Sequence, residues 1–296
     1  QDGAHKADAS EEDMGKTYLL FAKSISGLAG EQSLSNAYVV FVGETIEDFS
    51  GYSIAGQSDV DKDGLSDILI GAGNTDANGV DSGAAYLFLG ASIQPGEVSL
   101  GQADLKLIGS QEGDWAGRAV VSIPAADRNK RGDYAVSSSR NDDSSNNAGK
   151  VSILTGDQLW SAIEAGASTF SLSDAQVTIV GSEQEAFLGQ TLAVGDLDGD
   201  RYSDLIIGSP LHDDGLNADA GVVHLFFGKD WQETTSISVA DAPSKLVGSA
   251  AYDSVGTSIV TGDIDDDGLD EILVGTPYAD EQALDAGGVS IFFGCD

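Results

Sequence analysis

Asp196-Leu-Asp-Gly-Asp-Arg-Tyr-Ser-Asp204 runs without a break into Leu205-Ile-Ile-Gly-Ser-Pro210, and this junction decides how the rest of the chain is read. Carboxylates fall at loop positions 1, 3, 5 and 9, and an apolar, β-branched run follows at once. The same phrase returns as Asp59-Val-Asp-Lys-Asp-Gly-Leu-Ser-Asp67 and as Asp263-Ile-Asp-Asp-Asp-Gly-Leu-Asp-Glu271. Alternate residues of a tightly curled loop aim their side chains at one centre. Calcium suits such a centre, because it takes about six to eight oxygen ligands at about 2.3–2.6 Å. The candidate ligands are Asp59, Asp61, Asp63 and Asp67; Asp196, Asp198, Asp200 and Asp204; and Asp263, Asp265, Asp267 and Glu271. Position 7 (Leu65, Tyr202, Leu269) is expected to lend only its backbone carbonyl, which leaves its side chain free to vary.

An EF-hand opens with a similar Asp-x-Asp-x-Asp phrase, but it needs a glutamate at position 12 and a helix on each side. Position 12 here is Ile70, Ile207 or Val274, inside the runs Ile68-Leu-Ile, Leu205-Ile-Ile and Ile272-Leu-Val. These runs are short, rich in β-branched residues and closed by glycine, as buried strands are. The loops therefore join two strands, and the carboxylate at position 9 closes each site.

The repeat extends beyond the loops. Loop position 1 falls at residues 59, 125, 196 and 263. Each unit opens on a short phrase ending in glycine: Phe49-Ser-Gly, Trp115-Ala-Gly, Phe187-Leu-Gly or Ser254-Val-Gly. The acidic loop and its strand follow, ending Gly71-Ala-Gly, Gly208-Ser-Pro or Gly275-Thr-Pro. After an Asp/Asn-rich turn come glycine-led strands such as Gly83-Ala-Ala-Tyr-Leu-Phe-Leu and Gly221-Val-Val-His-Leu-Phe-Phe. A last strand such as Leu105-Lys-Leu-Ile or Val177-Thr-Ile-Val completes the unit. Short strands joined by turns at a fixed period describe the blades of an all-β propeller, whose four-stranded antiparallel sheets bury both faces by stacking. The single helical candidate is Asp157 to Ala165.

On these residues the chain resembles the FG-GAP repeat family, the blades of the integrin α-subunit head. The two naming phrases stand here as Phe49-Ser-Gly or Phe187-Leu-Gly, and Gly71-Ala-Gly or Gly208-Ser-Pro. The expected division is a partial blade at 1–43, a blade at 44–110, a blade with a degenerate loop at 111–181, a blade at 182–248, and a blade lacking its outer strand at 249–296. Both ends then fall mid-blade. The favoured expectation is a longer ring, seven-bladed by resemblance. The alternative is a small ring in which Ala37–Gly43 supplies the outer strand of the last blade. The resemblance also implies an extracellular, cell-surface or periplasmic adhesion or scaffolding module without catalysis. Its calcium would be structural, and its partner a protein or glycan, or further blades, domains or another subunit. Two other readings stay open: a lectin-like propeller, and a non-catalytic subunit of a larger surface assembly. Fold alone does not assign the task.

Composition bounds the partners. With 14 Lys and Arg against 49 Asp and Glu, the net charge is −35, which disfavours nucleic acid and anionic membrane. No run reaches the roughly 20 apolar residues of a membrane-spanning helix, so no membrane insertion is expected. One cysteine, Cys295, excludes an internal disulfide. Calcium loops of extracellular modules bind at roughly 10⁻⁴–10⁻³ M, so such loops fill outside the cytosol.

The second unit breaks the pattern. It reads Ala125-Ala-Asp-Arg-Asn-Lys-Arg-Gly-Asp133, with Ala125 at position 1, the neutral Asn129 at position 5, and only Asp127 and Asp133 charged. This loop is expected to hold no calcium, a cation of the chain taking its place. Arg118, Arg140 and Lys150 add to Arg128, Lys130 and Arg131 to make a basic patch on an acidic body. That patch either compensates for the lost metal or docks an acidic partner. Arg131-Gly-Asp133 is read as loop and strand start, not as a recognition tripeptide. In the third loop Gly199 sits at position 4 and Arg201 at position 6, where the others have Gly64 and Gly268, a change expected to weaken that site.

No catalytic constellation stands apart from the repeat. His5, His212 and His224 are scattered, and Asp142-Asp143 and Asp213-Asp214 recur at one turn beside Asp76 and Asp280. These pairs read as turn formers. Trp115 replaces the repeat's phenylalanine and is expected in the core, whereas Trp160 and Trp231 fall between strands and are read as freer.

Overall fold

The structure is a computed structural model that describes residues 3–4, 14–21, 33–124, 131–229, 236–280 and 286–294. The partial unit at the start holds β1 (Gly3–Ala4), β2 (Lys16–Leu19) and β3 (Val39–Val42). The first loop-bearing unit holds β4 (Ser53–Ser58), β5 (Asp67–Ala72), β6 (Ala84–Phe88), β7 (Gly96–Ser99) and β8 (Leu105–Ile108). The second has β9 (Ala116–Ile123), β10 (Asp133–Ser138), β11 (Lys150–Leu154), helix α1 (Gly156–Glu164), β12 (Thr169–Ser171) and β13 (Val177–Val180). The third repeats the plan with β14 (Thr191–Gly195), β15 (Asp204–Ser209), β16 (Val222–Phe226), β17 (Ser236–Ser238) and β18 (Ser244–Val247), and β19 (Ser258–Gly262), β20 (Glu271–Thr276) and β21 (Gly288–Phe292) close the described chain.

Five sheets result, in the orders β1-β2-β3-β7, β12-β8-β6-β5-β4, β17-β13-β11-β10-β9, β14-β15-β16-β18 and β19-β20-β21. To the expected antiparallel strands each crossover adds a parallel one from the following unit: β7 on β3, β12 on β8 and β17 on β13. Neighbouring sheets are thereby stitched together. β3 lies between β2 and β7, so Ala37–Gly43 does not edge the last sheet and the small-ring alternative falls.

Successive residues of the middle strands feed opposite cores. Leu69 packs with Tyr134, Val136 and Leu154, while Ile70 packs with Val39, Phe41 and Tyr86. Likewise Ile207 meets Val151, Ile153 and Ile179, and Ile206 meets Ile272 and Val274. A strand covered on both sides has no solvent face, which is why these strands are apolar throughout. The first strands β4, β9, β14 and β19 converge on one cavity of about 570 Å³, lined by Ile54, Val120, Leu192 and Ile259 among others. Four sheets fanning from a shared axis make an all-β, propeller-like fold.

Each crossover strand ends in a turn of 3-10 helix. Ser99, Ser171 and Ser238 accept from the N–H two residues on, and the next residue, Leu100, Leu172 or Val239, is buried against the sheet it crosses to. Helix α1 starts where Thr155 and Gln158 form a reciprocal cap. Leu159 is buried and Trp160 packs on the second and third sheets' shared core. Trp160 is thus not a free platform, while Trp231 lies outside the described residues.

Candidate metal centres

Each acidic loop links the first strand of a sheet to the second, and position 9 is the first residue of that second strand. In all three loops the carboxylates of positions 1, 3 and 9 come together: Asp59, Asp61 and Asp67; Asp196, Asp198 and Asp204; Asp263, Asp265 and Glu271. Within each trio one oxygen per residue lies within 4.8 Å of the others. Three like charges at that spacing repel strongly unless a cation joins them. Asp196 Oδ1 and Glu271 Oε1 are moreover buried with no hydrogen-bond partner among the described residues. An enclosed, unpaired carboxylate oxygen is what a hard divalent ion satisfies.

Position 9 is the pivot. Asp67 Oδ2 accepts from Val60 N at 2.6 Å and Oδ1 from Gly90 N at 2.8 Å. Asp204 repeats both bonds with Leu197 N and Gly228 N, each at 2.8 Å. One oxygen pins the loop and the other pins the exit of the third strand. Burial, then the neighbouring carboxylates, push both carboxyls up to about 6 against those donors. Glu271 keeps the loop bond, to Ile264 N at 2.7 Å. In the second unit Asp133 is buried and keeps the strand bond, to Gly156 N at 2.7 Å. A latch that needs no ion explains why position 9 stays acidic in a loop that has lost position 1.

Position 5 lies outside the close trio. Asp63, Asp200 and Asp267 accept instead from the N–H of position 7, at 2.7, 2.9 and 2.9 Å, and so curl their own loops. Position 7 (Leu65, Tyr202, Leu269) is the donor in that turn. Positions 4 and 6 are left-handed in all three acidic loops, with φ of 64° and 88° at Lys62 and Gly64, 72° and 68° at Gly199 and Arg201, and 64° and 92° at Asp266 and Gly268. The third loop therefore keeps the common shape and exchanges which position carries the glycine. It also has a cation of its own: Lys229 Nζ lies 3.2 Å from both Asp198 Oδ2 and Asp200 Oδ2, on an exposed side chain.

In the second loop, Ala125, Asp127, Arg128, Asn129 and Lys130 lie outside the described residues. Arg131 pairs with Asp157 at 2.9 Å and donates through Nη1 to the Val60 carbonyl of the preceding loop. Lys150 pairs with Asp143 at 2.8 Å. The acidic pairs are turn formers: Asp142 accepts from Asn147 N at 2.6 Å and Asp213 from Asp219 N at 2.8 Å. Trp115 is a correction to the expectation of a core residue. It stands half-buried at the rim with the Arg140 guanidinium 3.5 Å above its ring.

The glycine phrases lock the sheets together. Gly71 of the second sheet faces the Gly117 carbonyl of the third, and Gly208 faces that of Gly256 in the last. Ser53 and Thr191 donate to the same two carbonyls. The FG-GAP repeat model matches residues 188–226 and 255–292, which span two of these phrases and their acidic loops. Residues 188–226 and 255–292 are thus FG-GAP repeats. Integrin alpha-5 of Xenopus laevis is 32% identical over 119 residues, 38% of this chain and 11% of that protein. Integrin alpha-3 of Mus musculus is 31% identical over 99 residues, 33% of this chain and 9% of that protein. Integrin alpha ina-1 of Caenorhabditis elegans is 31% identical over 139 residues, 45% and 12%. The chain thus spans about a tenth of the length of each of these relatives.

Proposed function

We propose that this FG-GAP chain is an extracellular adhesion or protein-binding module whose blades are held by structural calcium. The trios at positions 1, 3 and 9 carry this reading, because each gathers three carboxylates around a buried latch at the same hairpin of the repeat. Position 5 and the carbonyl of position 7 would complete the oxygen shell when the loop tightens on an ion, and the loop Ala125–Asp133 would stay without one. The ion would supply charge neutralisation alone. The chain's own groups do the rest: Asp67, Asp204 and Glu271 fix the loop to the strand, and position 5 sets its curl. Similarity to integrin alpha subunits supports the adhesion task and the cell-surface setting, and a scaffold without catalysis. A protein ligand fits better than a glycan, since Trp160 is packed and Trp115 is covered by an arginine.

At free calcium about tenfold above the dissociation constant, each site would add about 1.4 kcal/mol. A thermal melt with calcium and with chelator tests this. The reading expects a midpoint several degrees higher with calcium, and an unchanged midpoint contradicts it.

A further inference from the structure

The rim opposite the acidic loops is built from arginine and aromatic side chains. Trp115 and Phe187 stand just before β9 and β14, Tyr52 just before β4, Arg118 within β9, and Arg140 just after β10. All belong to the end of the sheets where the glycine phrases interlock. The Arg118 guanidinium lies 3.7 Å above the Tyr52 ring, and that of Arg140 lies 3.5 Å above Trp115 and 6.0 Å from Phe187. Two cavities open beside them and share Trp115 as a wall. One, of about 250 Å³, is lined by Phe49, Tyr52 and Arg118; the other, of about 280 Å³, by Arg140, Phe187 and Leu211.

Four other cations, Lys106, Arg131, Lys150 and Lys229, are spent on carboxylates inside the chain. Arg118 and Arg140 have no carboxylate partner among the described residues, in a chain with 49 acidic side chains to choose from. Their Nε atoms and Trp115 Nε1 are enclosed and make no hydrogen bond among the described residues. The nearby Asp114 is occupied by Ser110, Gln111 and Asn141. A guanidinium stacked flat on a ring keeps its in-plane N–H donors free, and that fork matches a carboxylate. Burial and the charge of Arg140 both lower the pKa of Arg118, so the pair is held at an electrostatic cost that an anion would relieve.

We propose that Arg118 and Arg140 form a docking site for an acidic segment of a partner protein, one carboxylate bridging the two guanidiniums and an adjoining apolar side chain entering the cavity beside Trp115. The site rests on the protein-binding reading above and deepens it by assigning the partner's chemistry. The basic patch expected from the sequence divides in two: Arg131 and Lys150 serve the fold, and Arg118 and Arg140 stack on aromatic rings beside the two cavities. The acidic body repels such a segment from a distance, so affinity comes from contact at the rim and not from long-range steering.

Short peptides displayed on phage, selected against the calcium-loaded chain, test this. The expected binders carry Asp or Glu beside an aromatic or aliphatic residue. Changing that acid to its amide is expected to weaken binding about tenfold, as is Arg118→Gln or Arg140→Gln, with the melting midpoint unchanged. Arg140→Lys keeps the charge without the fork and is expected to recover part of the loss. Binders without acids, or acidic binders indifferent to both Gln variants, would overturn the proposal. So would a sulfated glycan whose binding needs the arginines while acidic peptides do not. A chain that binds acidic peptides through the pair but melts alike with and without calcium would sink only the calcium reading.

Discussion

Gly71 and Gly117 touch across two sheets: a Cβ added to Gly71 would stand 2.1 Å from the Gly117 carbonyl oxygen, which already accepts from Ser53 Oγ at 2.9 Å. The contact leaves no room for a side chain, so the two glycine phrases of neighbouring repeats act as one joint. The third sheet solves the same problem differently. Ala119 and Ser137 stand where the second has Ser53 and Gly71, and Ser137 Oγ accepts from Ala119 N at 2.9 Å.

Gly71→Ala is therefore expected to cost about 2–4 kcal/mol, because backbone must move to admit the methyl group. Gly64→Ala is the control. Nothing lies within 4 Å of its added Cβ, and only its φ of +88° is strained, for about 1 kcal/mol. Denaturant melts of the two variants check the difference, and equal losses would deny the joint.

The latch at position 9 separates from the ion in the second repeat. Asp133→Asn is expected to destabilise by about 1–3 kcal/mol to the same extent with calcium and with chelator, since its bond to Gly156 N needs no metal. Asp61→Asn is expected to lower stability only when calcium is present. Paired melts in both conditions distinguish these behaviours.

Leu34 and Leu172 hold the same place after the capping serine, yet Leu172 is 0% exposed and Leu34 is 37% exposed. Leu172→Ala is expected to cost about 2–5 kcal/mol, and Leu34→Ala under about 1 kcal/mol. Comparable losses in a urea melt would mean that the crossover turn does not carry the packing described.

His224 is fully enclosed, and neither ring nitrogen has a partner among the described residues. Burial, then the charges of His212 and Lys245, push it down to about 3. The unfolded chain takes up the proton near pH 6.5 and the folded chain does not. Stability from this residue is thus whole above pH 6.5 and falls as pH drops toward 3, by up to about 1.4 kcal/mol per pH unit. Ser152 and Ser290 occupy this place in other repeats. His224→Ser is expected to flatten the difference in stability between pH 6.5 and 5, and a parallel pH profile in the variant would contradict the assignment.

Much of the plan was legible because a repeat multiplies each weak signal. The apolar runs after the loops marked strands buried on both faces, and the spacing of carboxylates marked the trios. The parallel strands β7, β12 and β17 were not legible, because their partners lie in another repeat and edge strands of three or four residues carry little pattern. A signal did exist in the phrases Ser99-Leu-Gly-Gln-Ala, Ser171-Leu-Ser-Asp-Ala and Ser238-Val-Ala-Asp-Ala, which cap the crossover turns. The turn-forming bond of Asp63 was hidden because an acid that bonds its own loop and one that faces an ion obey the same spacing. Trp115 was misread as core because its burial depends on Arg140, which lies in a different loop.

Calorimetric titration of the metal-free chain with calcium bears most directly on the central claim. The account predicts close to three ions per chain, falling to two in Asp204→Asn, with no fourth ion at the second repeat. Absence of binding at millimolar calcium, or a stoichiometry unmoved by Asp67→Asn, Asp204→Asn and Glu271→Gln alike, would contradict it.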